Sequence, residues 1–220
     1  MSELIDLSHT IYDGLITFKG LPGPVICDFL SREASRKNYT DGAEFQIGRI
    51  DMVANTGTYI DCPFHRYADG KDLNETELKR FVDLSAVIVR VDHHERLAVE
   101  ADDFESVKVA GKAVLVHTGW SEHWATEQYL ENHPFLTREA AVYLRDQGAT
   151  LVGIDSHNID DTRSRNDRPV HSTLLKEEIL IVEHLRGLDQ VPHRPFLFNA
   201  VPPKIKGMGT FPVRAYAKVL

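Results

Sequence analysis

Apolar residues in this chain come in short β-branched runs rather than long helical stripes. The run Leu-Ser-Ala-Val-Ile-Val-Arg-Val within 83–92 has the composition of a buried strand. Similar short runs predict strands at 113–117, 149–154, 178–182, 196–200 and 213–219. The clearest helix pattern is 138–147, where Thr137 is a candidate N-cap. Ala141, Tyr143 and Leu144 give it an apolar face, and Gly148 is a natural stop. Weaker helical patterns cover 75–81 and 122–132. Residues 14–38 contain three Gly and two Pro without a clean period and predict an irregular arm. Residues 158–169 are polar and charged, and predict a long loop. Strands alternating with few helices predict an α/β fold with a strand-rich mixed sheet. The 220 residues fit a single domain spanning 1–220.

Composition narrows the classes of function. A net charge of −8 argues against general nucleic-acid binding, which needs basic patches to displace counterions. The absence of a long apolar run predicts no membrane span, and the acidic start predicts no signal peptide. The two cysteines, Cys27 and Cys62, form no disulfide framework, which fits a reduced, cytoplasmic setting. The expected partner is a small-molecule substrate. Eleven histidines is a high count. His93, His94 and His123 sit in charged segments and are expected to be solvated, while His133 and His193 beside prolines are expected in loops.

Three places carry candidate chemistry. Asp61 and His65 lie four apart with Pro63 between them, which argues for a rigid loop rather than a helix. They either bind a metal and move a proton, or cap a turn and expose an imidazole. Glu183 ends the apolar run 179–182; if buried it needs a metal or strong hydrogen bonds, and otherwise it faces solvent. Asp155, His157 and Asp160 follow the strand at 149–154, where α/β sheets gather ligand sites. They either contact substrate or form a hydrogen-bonded turn.

Taken together, these segments resemble the cyclase family, the kynurenine formamidase-like metal-dependent hydrolases. The family signature is His-x-Gly-Thr-His-x-Asp-x-Pro-x-His, and residues 55–65 read Asn-Thr-Gly-Thr-Tyr-Ile-Asp-Cys-Pro-Phe-His. The Gly, Thr, Asp, Pro and last His match, whereas Asn55 and Tyr59 replace two signature histidines. Matching segments follow in order: Ile5-Asp6-Leu7-Ser8-His9, His117-Thr118-Gly119-Trp120, Gly153-Ile154-Asp155 with Ile159-Asp160, His171 with Leu174-Leu175, and Val182-Glu183-His184-Leu185. The ending Pro202-Pro203-Lys204-Ile205-Lys206-Gly207, then Pro212-Val213-Arg214-Ala215, completes the set.

The resemblance implies a swivelling β/β/α fold and a metal-dependent hydrolase of a small amide, ester or lactam-like bond. It implies metal ligands at Asp61, His171 and Glu183, with His65 as general acid/base. The other family metal would fall on Asn55, Tyr59 and Asp61. A neutral amide and a phenol with a pKa near 10 hold a cation weakly, so one divalent metal is expected, Zn²⁺ or Mn²⁺. Tyr59 is expected to donate to a developing oxyanion. Asn55, Phe64, Trp120, Asp155 and His157 are candidate substrate contacts, with Phe18 as a further aromatic wall. The resemblance also implies a homodimer or homotetramer, with the arm at 14–38 crossing to a neighbour. Two rival readings stand: a degenerate family member that binds without turnover, and a metal-dependent lyase or isomerase.

Overall fold

The computed structural model describes residues 3–163 and 167–220. Strands β1 (Glu3–Asp6), β2 (Val25–Leu30), β3 (Ile47–Asp51), β4 (Tyr59–Asp61), β5 (Leu84–Arg90), β6 (Ala98–Val99) and β7 (Ala113–His117) come first. They are followed by β8 (Phe135–Leu136), β9 (Leu151–Ile154), β10 (Leu180–Glu183), β11 (Phe196–Asn199), β12 (Thr210–Pro212) and β13 (Tyr216–Val219). The α-helices are α1 (Arg32–Ser35), α2 (Arg138–Asp146) and α3 (Pro169–Lys176).

Nine strands form one mixed sheet in the order β1-β13-β11-β5-β7-β9-β10-β4-β12. Its centre, β5-β7-β9-β10, is parallel, and the strands on either side are antiparallel. The central strands carry apolar residues on both faces because both faces are covered, as parallel sheets require. Along β7, Ala113 and Leu115 enter one core cluster and Val114 and Val116 the other. The same period of two divides Leu180 and Val182 from Ile181 on β10. Helices α2 and α3 cover the second cluster with Ala140, Ala141, Leu144, Val170, Leu174 and Leu175. Gly153 sits where strand and cover meet, and a Cβ there would lie 2.8 Å from Leu185 and 2.9 Å from Leu115.

The α/β class, the strand-rich mixed sheet, the central strands and α2 match expectation. Several other elements differ. Residues 75–81 form turns held by Asp72 and a single 3₁₀ turn at Leu78–Arg80, too short a segment to nucleate an α-helix. Residues 122–132 are not one helix; 3₁₀ turns at Trp120–His123 and Gln128–Leu130 are separated by Ala125, whose φ of 61° breaks any helical path. The arm at 14–38 is not irregular throughout. It contains α1 and β2, and β2 pairs with β3 as a two-stranded antiparallel ribbon bearing exposed Val25, Phe29, Ile47 and Ile50.

The polar stretch 158–169 also departs from a simple surface loop. Ile159 and Asp160 are fully buried, and α3 begins at Pro169; the part at 164–166 lies outside the described residues. His133 lies in a loop as expected but is buried there, with Nε2 2.8 Å from Thr162 Oγ1. No helix among the described residues is long and apolar enough to cross a membrane.

Candidate metal-binding active site

Strand β4 carries the site, and its two neighbours complete it by register. Across β10, Tyr59 stands opposite Glu183; across β12, Asp61 stands opposite Thr210. Gly57 (φ 66°) turns the chain into β4, in a conformation that disfavours other residues. Gly209 lets β12 approach the turn that bears His65, since a Cβ there would lie 2.3 Å from the His65 nitrogen. Pro63 opens the 3₁₀ turn Pro63–His65 and points the imidazole back toward Asp61.

His65 Nδ1 lies 2.7 Å from Thr210 Oγ1, and the same hydroxyl contacts Asp61 Oδ1 at short range. A carboxylate only accepts, so Thr210 donates to Asp61 and accepts from His65 Nδ1–H. The neutral ring therefore keeps its lone pair on Nε2. His65 lines the cavity and its side chain is 34% exposed. Thr210 thus fixes the tautomer of the candidate proton carrier, a role that spacing along the chain did not reveal.

His171 is oriented by a residue from the polar stretch. Asp160 accepts the imidazole Nδ1–H at 2.5 Å and the backbone N–H groups of Val170 (2.7 Å) and His171 (3.1 Å). These amides open α3, so one buried carboxylate caps the helix and aims its histidine. The ring's Nε2 faces Asp61 Oδ2 at 3.8 Å and Glu183 Oε1 at 3.7 Å. Glu183 itself accepts from the Ile159 amide at 2.6 Å and from the Tyr59 hydroxyl at 2.5 Å.

This cluster suits a divalent cation. Asp61, Asp160 and Glu183 are completely buried, and Asp61 Oδ2 has no hydrogen-bond partner. Burial pushes Glu183 up to about 7, against the pull of His171 and with the help of Asp61. Burial also opposes a charge on His171, yet Asp160, Asp61 and Glu183 outweigh it and hold the ring up at about 10. A divalent cation at Asp61 Oδ2 would take the place of the proton on His171 Nε2, since a metal ligand must be deprotonated, and would offset the buried carboxylates. The spacings fit, because a tetrahedral ion with bonds of about 2.1 Å separates its donors by roughly 3.4 Å. One donor atom each from Asp61, His65 and His171 falls within 4.8 Å of the others. His65 is therefore nearer the donor set than expected, and Glu183 joins it through His171.

A cavity of about 400 Å³ opens above these groups, lined by Phe18, Asn55, Tyr59, His65, His157, Asn158, His171 and Glu183, with Lys19, Arg66 and Arg168 also in its wall. Asn55 and His157, both candidate substrate contacts, are thus in its wall. Tyr59 does not fit the oxyanion role, because its one proton is given to Glu183 while Asn55 bonds its oxygen. Burial, reinforced by the Glu183 and Asp61 charges, keeps the phenol well above its usual pKa in the metal-free protein.

Three expected contacts lie elsewhere. Trp120 is buried, with its indole N–H bonded to the Tyr129 carbonyl at 3.1 Å. Asp155 is buried and accepts from the Thr118 and Gly119 amides at 2.8 and 2.9 Å, which makes it the hydrogen-bonded turn of the two readings. Phe64 points to solvent at 36% exposure.

The fold and this donor set define a metal-site enzyme scaffold, and comparison places it. Residues 5–161 match the family described as "Putative cyclase", and the chain belongs to that family. It is 29% identical over 215 residues to a kynurenine formamidase of Bacillus cereus, covering 97% of this chain and 96% of that one. A kynurenine formamidase of Geobacillus thermodenitrificans is 28% identical over 98% of this chain and 97% of its own length. A solved structure described as a potential metal-dependent hydrolase with cyclase activity superposes with a TM-score of 0.80 at 26% identity, covering 100% and 99% of the two chains. An isatin hydrolase bound to thioisatinate has the same fold, with a TM-score of 0.83 at 20% identity over 99% and 92% of the chains.

Proposed function

We propose that this protein is a metal-dependent hydrolase of a small amide or related carbonyl bond, arylformamidase-like in its substrate class. The observation that carries the reading is the buried, unpartnered Asp61 Oδ2 facing His171 Nε2, with His65 beside it at the base of an open cavity. Asp61, His171 and Glu183 would hold the ion. One imidazole and two carboxylates suit Zn²⁺ or Mn²⁺. When bound, such an ion supplies Lewis-acid polarisation of the scissile carbonyl and lowers the pKa of the attacking water.

The chain's own groups do the rest. His65 Nε2 takes a proton from water and returns it to the leaving nitrogen or oxygen. Thr210 and Asp61 keep its Nδ1 protonated throughout, so the free lone pair stays on the cavity side. Phe18 packs 4.5 Å from His157 in the cavity wall and offers a flat surface for an aryl group. Self-association as a homodimer or homotetramer belongs to the same reading, with the apolar residues of β2 and β3 covered by a second copy.

The test pairs metal content with turnover of a formylated arylamine, an aryl ester and an aryl lactam. Wild type is expected to carry metal and hydrolyse at least one of them. His65→Ala should lower kcat by about 10²–10⁴-fold with its metal retained, and Asp61→Asn should lose the metal. A protein that takes up no ion at the cavity under any loading condition overturns the reading. Tight ligand binding without turnover would favour the non-catalytic alternative, which the Tyr59 bond to Glu183 makes specific.

A further inference from the structure

Away from the cavity, the turns that follow β5 and β7 bring together His93, Glu122 and His123, none of which lines it. The Nε2 atoms of His93 and His123 each lie 3.3 Å from Glu122 Oε1. One donor atom from each of the three residues falls within 4.8 Å of the other two. The His93 side chain is only 7% exposed, and its Nε2 is buried without a hydrogen-bond partner. These histidines are therefore not the solvated pair that their charged segments suggest.

The protons can be assigned from the neighbours. His93 Nδ1 lies 2.8 Å from the Thr118 carbonyl, which only accepts, so Nδ1 carries the hydrogen and Nε2 of the neutral ring presents a lone pair. A backbone carbonyl behind an imidazole is the arrangement that fixes metal-binding histidines. His123 Nε2 accepts from the Gln128 amide nitrogen at 3.1 Å, so it carries no ring hydrogen, and an ion would displace that N–H to reach its lone pair. The unpartnered His93 lone pair and the Glu122 carboxylate oxygen thus face each other with no proton between them. That grouping is repulsive unless a cation joins it.

We propose that the chain binds a divalent transition metal of the zinc class at His93, Glu122 and His123, separate from the ion of the cavity. The 3.3 Å spacings match those roughly 3.4 Å apart around a tetrahedral ion. The Glu122 side chain is 55% exposed, which leaves the fourth position to water and gives the ion a way in. The frame is preorganised. Gly119 (φ 82°) makes the turn, Asp155 holds its amides, and Trp120 packs 4.6 Å from His123 and 5.2 Å from His93. An ion here ties the turn after β5 to the turn after β7 and is expected to stabilise the fold.

The experiment titrates tag-free, metal-stripped full chain with ZnCl₂, reading equivalents by calorimetry and elemental analysis and stability by thermal unfolding. Wild type should bind one equivalent more than His123→Ala or Glu122→Gln, both partly exposed positions that spare the core. Asp61→Asn should keep an equivalent that Asp61→Asn/His123→Ala loses, and Zn²⁺ should raise Tm in the first of these but not in the second. Equal stoichiometry in wild type, His123→Ala and Glu122→Gln overturns the proposal. If the cavity binds nothing, the one-equivalent difference at His123 still stands, so the two sites fail independently.

Discussion

Replacing Asp160 with Asn tests whether one carboxylate builds both a helix start and a metal ligand. Asp160 accepts three N–H groups, from Val170, from His171 and from the His171 ring. An amide retains a single accepting oxygen. Kept on the His171 side, it leaves the Val170 N–H facing an NH₂ group; flipped, it abandons the ring. Either way at least one buried, charge-assisted bond is lost, costing about 1.5–3 kcal/mol. The loosened imidazole should also weaken metal binding by about 10–100-fold, or roughly 1.4–2.7 kcal/mol. Urea unfolding of the metal-free variant reads the first quantity, and competition with a chelating dye reads the second. In the metal-free protein the His171 titration should move down from about 10, because Asp160 is the largest of the influences holding it up. An Asp160→Asn protein with an unchanged urea midpoint and metal affinity within about twofold of wild type would refute the reasoning, since losing the bond behind a metal-binding imidazole should cost about tenfold or more.

Tyr59→Phe separates two roles for the phenol: loss of an oxyanion donor should lower kcat by about 10²–10³-fold. Loss of the bond to Glu183 should instead cost about 1–3 kcal/mol of stability and leave kcat within about tenfold, which is the expected result. Acid stability gives a further check. Burial pulls His157 down to about 3, against 6.5 in the unfolded chain, so its contribution is complete above pH 6.5 and is lost as pH falls toward 3. At pH 5 that is about 2 kcal/mol from this residue; His157→Phe should show a correspondingly flatter loss between pH 7 and 5, and an identical pH slope would contradict the assignment. Phe29, 75% exposed on β2, is expected to be covered by a second copy. Phe29→Asp should shift sedimentation toward the monomer with an unchanged circular dichroism spectrum, and a wild type that sediments as a monomer at all concentrations removes the expectation.

What the sequence made legible follows from local pattern. The β-branched runs marked β5, β7, β9 and β10, because buried parallel strands write their burial as continuous apolar segments. Thr137 and Gly148 bracketed α2 for the same reason of local chemistry. The missing parts depend on distant partners. Strand β4 has only three residues and exists because β10 and β12 flank it. The start of α3 rests on Asp160, whose charge reads as part of a surface loop unless its amide partners are in view. Thr210 lies 149 residues from Asp61 and has no local signature, so its hold on His65 emerges only from register. Trp120 is illegible for another reason. An aromatic beside a turn reads the same whether it lines a cavity or anchors a loop, and here the Tyr129 carbonyl decides it.

The pairing of β1 with β13, Glu3 against Val219, has a consequence for biosynthesis. Strand β1 waits for β13 before it gains a neighbour, and Asp61 and His65 likewise wait for Thr210. During translation the parallel centre can collapse first, but the proton carrier has no fixed tautomer until β12 arrives. Contacts this distant in sequence make for slow closure. Emergence of β12 should therefore precede acquisition of activity, and nascent chains arrested before β12 should hold compact sheet without a working centre.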